Sequence, residues 1–468
     1  MKYFLLALLT VLVAQSPGRA QRIRFEKDSL TQVFARARQL NKPVFVLLAP
    51  PPVSANTPAA LQKMRNESGL NAPAVVAALN QGFLSKELPF GKAETAAVVR
   101  KYTVTSYPTY LYFGPDGTLL YRNFGNASSE QRYLHDLQAV QQAQADPENL
   151  SHLQEEYRQG HWSAEFLKRY IAKHRQLGLR VEPAVLDAYV QLLPVHAFDQ
   201  PAEVVFILEN GPVVGSKAQQ LTRLNPRLYD SLFRSLPLPQ RITINNLIIS
   251  NTMNQAIATK NRVLATQGAT FARGSWNTNY QQGSRAYDTN MLRFFSAIKD
   301  TASYLRSAVL YYDRINMGIS ADSARKAVAA LQAFRQEQLA NRQRLSTTAG
   351  QPGSLGPNVS RVTTMEPTAR RVPPAAFLQE LNNGAWSVYQ TGTRNSQHLM
   401  RALQWSKRTV DLDPAAYNYD TLAHLLYRLR FFSEAAAMQQ QAVAVARQEK
   451  ASTTSYEQEL EKIKKRTL

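Results

Sequence analysis

The sequence predicts an α/β domain in the amino-terminal part of the chain, followed by an all-α region. Three observations support this fold class: helical and strand patterns alternate over residues 22–145, helical periodicity dominates residues 147–345, and residues 376–468 contain two helix pairs at a period near 34. A stretch rich in Gly, Pro, Ser and Thr, residues 346–374, is typical of a flexible linker. The 468 residues suffice for about three domains.

The α/β region begins with a helix and a buried strand. Residues 28–42 place apolar side chains at helical spacing, with Ser29 as the expected N-cap. Residues 43–49 form an apolar run between prolines, which is typical of a strand buried on both faces. The pattern predicts further helices over residues 59–67, 71–83, 94–104 and 129–144.

A hairpin completes the predicted domain. Tyr107, Pro108 and Thr109 precede an apolar strand, and a turn through Asp116 and Gly117 leads to a second strand. A buried strand between helices, together with a terminal hairpin, predicts an α/β layered domain.

This order of elements resembles the thioredoxin fold, and in particular the exported bacterial thioredoxin-like proteins that join such a domain to a helical region. The resemblance covers residues 25–145, about a quarter of the chain, and rests on the Lys42-Pro43 strand start, Met64 and residues 104–125. It implies that the bond before Pro108 is cis and that the Tyr107 backbone pairs with an extended peptide. Tyr107, Pro108 and Thr109 are therefore the candidate peptide-binding loop. In the alternative interpretation the loop is an inherited corner of the scaffold.

The chain departs from that family because it contains no cysteine. Family members place a Cys-x-x-Cys motif at the start of the helix after the first central strand. Alignment on Met64 puts Pro58 and Leu61 at the two cysteine positions, whereas alignment on Lys42 puts Val53 and Asn56 there. None of these side chains forms the thiolate that thiol-disulfide exchange requires. We therefore expect no catalytic residues; an oxidoreductase or isomerase acting with a partner's thiols is the alternative.

The remaining regions are predicted to be helical. Long helices are expected over residues 182–193, 247–266, 287–313 and 323–346. In the last region Trp386, Tyr389, Ala402 and Trp405 precede Pro414, and Asp420, Ala423, Ala436 and Gln439 follow one period later, which resembles a tetratricopeptide repeat without its Leu-Gly pair. Trp386, Trp405 and Tyr427 are candidates for a peptide-binding face, but we favour a core role because aromatic residues at helical spacing usually fill a core.

Charge and motif content restrict the expected partners. Lys and Arg number 55 against 34 Asp and Glu, which gives a net charge of +21. No basic run or aromatic-interleaved basic motif is present, so we favour a solvated basic surface over specific nucleic-acid binding. Weak contact with anionic envelope surfaces remains an alternative. The seven histidines show no metal-ligand spacing, and no cofactor motif is present, so we expect no metal and no cofactor.

The first twenty residues have the pattern of a signal peptide. Lys2 precedes an apolar stretch over residues 3–14, and Gly18 and Ala20 occupy small-residue positions before a cleavage site at Gln21. The apolar stretch is shorter than the roughly 20 residues of a membrane-spanning helix. The sequence therefore predicts an exported protein, periplasmic or secreted and without a transmembrane anchor, that binds a protein or peptide partner in the cell envelope.

Overall fold

The computed structural model describes residues 22–52, 67–160, 162–276, 278–348, 374–449 and 451–468. Over these residues the chain forms an amino-terminal unit, which comprises the described residues up to Val181 together with residues 345–348, and a helical unit, which comprises the described residues of 182–344 and 374–468. The predicted signal peptide, the candidate positions Val53, Asn56, Pro58 and Leu61, and most of the predicted linker lie outside the described residues.

The amino-terminal unit is built on a mixed sheet. Within the described residues its strands are β1 (Val44–Leu48), β2 (Leu84–Leu88), β3 (Thr109–Phe113) and β4 (Leu119–Phe124), in the spatial order β2-β1-β3-β4. β1 pairs in parallel with β2 and antiparallel with β3, which pairs antiparallel with β4. The helices are α1 (Leu30–Leu40), α2 (Pro73–Gly82), α3 (Ala93–Lys101), α4 (Glu130–Ala145), α5 (Leu150–Gln159) and α6 (Ala164–Gln176), with a 3-10 helix at Gly69–Asn71.

Both faces of the sheet are covered, as the apolar run of β1 predicts. Val44 and Val46 belong to a cluster that includes residues of α1 and α3, whereas Phe45 belongs to a second cluster with residues of α2 and α4. The predicted cap of α1 is confirmed: the Ser29 hydroxyl accepts from the Gln32 N–H, and the Gln32 side chain accepts from the Ser29 N–H. The α/β layered domain is therefore confirmed.

The amino-terminal unit is longer than the predicted domain, which ended at residue 145. Leu150 and Leu177 lie in the same apolar cluster as β1 and β3. The Ser151 hydroxyl donates to the Asp116 carboxylate at 2.5 Å, and Arg122 donates to the carbonyl oxygen of Leu177 at 3.3 Å. Helices α5 and α6 thus pack on the α/β layers instead of opening the helical region.

The hydrogen bonds of Asp116 make this packing sensitive to acid. Burial raises the pKa of the Asp116 carboxyl, but hydrogen bonds from Ser151 and Thr118 outweigh that effect and leave the pKa below its ordinary value of 3.8. A carboxyl with a lowered pKa in the folded state stabilises the fold above its unfolded-state pKa, and this contribution is lost as the pH falls through the folded value.

We expect Ser151→Ala to move acid unfolding of the amino-terminal unit to higher pH, because the carboxylate loses a donor. Asp116→Asn should flatten the same pH dependence, because the titrating group is gone. A circular dichroism titration from neutral to acid pH measures both effects. Acid profiles of both variants that coincide with that of the parent chain would contradict this account of Asp116.

The helical unit is all-α in the described residues. Its helices are α7 (Pro183–Gln191), α8 (Pro201–Glu209), α9 (Lys217–Leu221), α10 (Pro226–Ser235), α11 (Leu238–Ala258), α12 (Arg262–Gly274), α13 (Tyr280–Ala297), α14 (Thr301–Tyr312), α15 (Ala321–Thr348), α16 (Ala376–Gln390), α17 (Ser396–Leu412), α18 (Ala416–Arg428), α19 (Phe432–Gln448) and α20 (Thr454–Lys465). A 3-10 helix spans Val195–Asp199 and a π-helix Asp313–Met317.

Two predicted long helices are each divided in the structure. The helix expected over 247–266 is interrupted between α11 and α12, where Lys260 has a φ of 52° and Asn261 caps the next helix. The helix expected over 287–313 is interrupted between α13 and α14, where Lys299 has a φ of 60° and Asp300 is the cap. In both places a lysine adopts the left-handed backbone that follows a helix end, a position that glycine usually occupies. The sequence therefore has no glycine there to predict the end of the helix.

The last region is not a separate domain. One apolar cluster contains Met253 of α11, Phe294 of α13, Leu381 of α16 and Leu425 of α18, so residues 376–468 share a core with the preceding helices. Helix α15 continues to Thr348, so residues 346–348, which were predicted to belong to the linker, are helical. Among the described residues, no helix combines the length and the apolar character needed to cross a membrane.

Candidate functional site

Four chain segments meet at one edge of the sheet. The parallel strands β1 and β2 end at this edge, where Leu48 is paired with Leu88, and β3 begins there, with Thr109 opposite Leu48. β4 ends at the same place, with Phe124 opposite Thr109. Phe90, Tyr107 and Pro108 lie in the segments that continue from these strand ends, and Phe124 is the last residue of β4. We call these four residues the cis-proline edge.

The peptide bond between Tyr107 and Pro108 is cis, as the resemblance to the thioredoxin fold implies. The Pro108 carbonyl accepts from the Gly125 N–H at 2.8 Å, and the buried Thr109 hydroxyl donates to the Ser106 carbonyl at 2.5 Å. Within the described part of the chain, neither the N–H nor the carbonyl of Tyr107 has a hydrogen-bond partner. The backbone of the residue before the cis bond can therefore pair with an added strand.

Aromatic side chains surround this backbone. The Tyr107 ring contacts the Phe90 ring edge to face, with 5.3 Å between the ring centroids. Tyr107 also packs against the apolar cluster that contains residues of β1 and β3. Phe90 is 45% exposed and Phe124 is 61% exposed. An extended peptide at this edge would therefore find the exposed ring of Phe90 against Tyr107, and the exposed ring of Phe124 at the end of β4.

Arg132 of α4 holds the β4 side of the edge in place. Its guanidinium donates to the carbonyl oxygens of Gly125 at 2.8 Å and Phe124 at 2.9 Å, and it stacks on the rings of Tyr110 and Tyr133. The Asp136 carboxylate, one helical turn away, lies 3.4 Å from the Arg132 Nε. This residue was not among the sequence predictions; the Arg132–Asp136 spacing in the closing helix was the signal available.

A hydroxyl network supports the same segment from within the core. The fully buried Tyr133 hydroxyl donates to Asn126 at 3.0 Å, accepts from the Ala127 N–H at 3.1 Å and lies 3.3 Å from the Tyr110 hydroxyl. Nearby, burial and the Asp136 carboxylate raise the pKa of Tyr121 to about 12. The Tyr121 hydroxyl therefore stays protonated at neutral pH and donates to the Asp136 carboxylate at 3.0 Å.

The three aromatic candidates of the last region occupy separate environments. Trp405 is fully buried and its Nε1 donates to the Asp313 carboxylate at 2.8 Å, so it is a core residue, as we favoured. Trp386 is half-buried and meets the ring of His424. The half-buried Tyr427 accepts from the Leu468 N–H at 3.2 Å. The structure does not bring these three side chains together into one binding face.

His424 is the centre of a buried polar cluster in the helical unit. Its Nδ1 lies 2.8 Å from the Asp420 carbonyl oxygen, and its Nε2 lies 3.5 Å from the Glu459 carboxylate of α20. Burial raises the pKa of Asp420, and the nearby imidazole opposes that rise. In the part of the chain that the structure describes, no group of three or more His, Asp or Glu residues is arranged to hold a metal ion.

Comparison with known proteins adds little to this geometry. No protein-family model matches the chain, and no curated protein matches it. A solved structure described as DsbH oxidoreductase is similar at 15% sequence identity over 28% of this chain and 91% of that chain, with a TM-score of 0.22.

Proposed function

We propose that the chain is a non-catalytic, exported, thioredoxin-like protein of the cell envelope that binds an extended polypeptide at the cis-proline edge. The observation that carries the proposal is the Tyr107 backbone beside the cis bond, which has no hydrogen-bond partner among the residues that the structure describes, at the sheet edge where four chain segments meet. Backbone hydrogen bonds from such a loop supply affinity that depends little on peptide sequence, and neighbouring side chains select what fits. Phe90 and Phe124 favour peptides with apolar side chains.

The lack of cysteine supports a binding role over an oxidoreductase role. Thiol-disulfide exchange proceeds through a thiolate, and the chain has none to contribute. Insulin reduction in the presence of dithiothreitol separates the two candidates. We expect the rate to equal that of dithiothreitol alone, and a rate above it would favour an enzyme that acts with thiols supplied from outside.

The helical unit is proposed to carry tetratricopeptide-like helix pairs that extend the interaction surface. Ala402 of α17 and Ala423 of α18 are fully buried, which is the packing that allows paired helices to approach closely. The α16–α17 and α18–α19 pairs follow one another along the chain, and their equivalent helices start 40 residues apart (Ala376 and Ala416) and 36 residues apart (Ser396 and Phe432), somewhat more than the predicted period near 34. Polypeptide binding at the cis-proline edge does not depend on this second assignment.

Removal of the two exposed rings should weaken peptide binding. We expect the double variant Phe90→Ser/Phe124→Ser to bind a reduced and carboxymethylated, permanently unfolded protein about tenfold more weakly, which is about 1.4 kcal/mol. Fluorescence anisotropy of the labelled polypeptide measures the change. The loss follows from the exposed apolar area that both rings offer at the cis-proline edge.

The matched control is Leu40→Ser in the same unit. Leu40 is 56% exposed and ends α1 just before β1 begins, so it lies toward the opposite edge of the sheet. Its replacement should leave the affinity unchanged. Equal losses in the control and the double variant, or no binding of the unfolded polypeptide by the parent chain, would refute the proposal.

A further inference from the structure

We propose that the helical unit also binds the surface of an anionic lipid bilayer, through helix α10 and the residues on either side of it. This lipid-facing surface consists of Arg223, Leu224, Arg227, Arg234, Leu238 and Ile242. It lies in a different unit from the cis-proline edge, so the inference does not depend on the proposed peptide binding.

Helix α10 lies on the outside of the helical unit with its apolar side inward. Leu228, Tyr229, Leu232 and Phe233 pack against an apolar cluster that contains Val204 and Leu208 of α8 and Ile244 and Ile248 of α11. No residue of α10 is fully buried, and Arg227, Asp230, Ser231 and Arg234 are exposed. The helix therefore presents a polar, mainly basic side to solvent over about 15 Å, the length of ten helical residues.

The charge of this surface is positive and unbalanced. Residues 221–242 contain four arginines and one aspartate, which give a net charge of +3. Arg223, Arg227 and Arg234 form no ion pair with any residue that the structure describes, and the Arg223 guanidinium stacks on the Tyr229 ring at 4.9 Å. Two acidic side chains lie close to this segment: Asp199 accepts from the Asn225 side chain at 3.0 Å, and Glu209 accepts from Gln240 at 2.7 Å. Both donors are neutral amides, so these carboxylates keep their charge and reduce, without cancelling, the positive charge of the segment.

Exposed aliphatic side chains flank the arginines at both ends of α10. Leu224 precedes the helix, and Leu238 and Ile242 follow it on one side of α11; each is at least 50% exposed. Guanidinium groups bind lipid phosphates, and aliphatic side chains beside them enter the boundary between headgroups and acyl chains. An acidic protein or a nucleic acid would use the arginines but would leave three large aliphatic side chains in water, so a lipid surface is the partner that fits.

Vesicle flotation tests this inference with the chain from residue 21 onward. We expect binding to phosphatidylcholine vesicles that contain about a third phosphatidylglycerol, none to pure phosphatidylcholine, and weaker binding as salt rises. Arg227→Glu/Arg234→Glu should weaken binding at least tenfold. Leu238→Ser/Ile242→Ser should also weaken it, and this loss should persist at low salt because it removes insertion and not charge.

The matched control reverses two exposed cations elsewhere in the helical unit, as Arg394→Glu/Lys407→Glu, with the same change in net charge. The control should bind as the parent chain does, and circular dichroism should show that every variant keeps its helical content. An equal loss in the control would overturn the inference, because net charge alone would then explain binding. It would also be overturned if the Leu238/Ile242 variant bound normally, or if polyglutamate or DNA, and not vesicles, bound through the same arginines.

Discussion

Replacement of Trp405 with alanine is expected to lower the free energy of unfolding of the helical unit by about 3–5 kcal/mol, as removal of a fully buried aromatic side chain usually does. Trp405 is 0% exposed and lies in the largest apolar cluster of the unit, 5.0 Å from the Tyr312 ring between centroids. The change therefore combines a lost apolar side chain with a cavity between α14 and α17 that rigid helices fill only in part.

The hydrogen bond of Trp405 adds a separate contribution. Its Nε1 donates to the carboxylate of Asp313, the first residue of the π-helix, and the Arg401 Nε lies 3.6 Å from the other oxygen. Trp405→Phe keeps much of the ring but removes this donor, so we expect a smaller loss of about 1–3 kcal/mol. The difference between the two variants separates packing from hydrogen bonding.

The control for this pair is Trp276→Ala, because Trp276 is about half exposed in the turn after α12. Its replacement should cost about 1 kcal/mol or less. Urea unfolding followed by circular dichroism gives the three values, read from the transition of the helical unit. If Trp405→Ala were no more destabilising than Trp276→Ala, the assignment of Trp405 to the core would be wrong.

The substitution Gly69→Ala, which adds a single methyl group, should lower the free energy of unfolding of the amino-terminal unit by about 3 kcal/mol. A Cβ at this position would lie 2.4–2.6 Å from backbone atoms of Ser129 and Glu130, where α4 begins. The Gly69 N–H also donates to the Ala127 carbonyl at 2.8 Å, so the 3-10 helix and the segment before α4 are in direct backbone contact. Backbone atoms cannot move away by a rotamer change, as a flexible side chain can. The 3-10 helix and the segment before α4 must therefore move apart.

Gly82→Ala is the matched control, since nothing lies within 4 Å of a Cβ at that position at the end of α2. Alanine is the better helix former, so the control should be neutral or more stable by up to about 1 kcal/mol. Thermal unfolding compares the two. Because the displaced segment is next to Gly125, which donates to Pro108, Gly69→Ala should weaken polypeptide binding as well. A fully stable Gly69→Ala variant would contradict the close approach.

The candidate site was only partly predictable from sequence. Tyr107 and Pro108 stand out as a motif because proline and the residue before it restrict the backbone locally. Phe90 and Phe124 carry no such local signal, because their place at the same end of the sheet as Tyr107 follows from the registers of three strand pairings. Arg132 is likewise one basic residue among many until its guanidinium is found on the carbonyl oxygens of Phe124 and Gly125.

The amino-acid sequence by itself determined the local features of this protein: the doubly buried β1, the capped start of α1, the hairpin at Asp116 and the helical character of the second half. Each depends on residues close together in the chain, through side-chain periodicity, capping or turn geometry. Only the tertiary structure decided that α5 and α6 pack on the sheet and that residues 376–468 share a core with earlier helices. These outcomes depend on which apolar surfaces pack together. The hydrophobic effect is non-directional, so the sequence pattern shows that a surface will be buried but not which other surface will bury it.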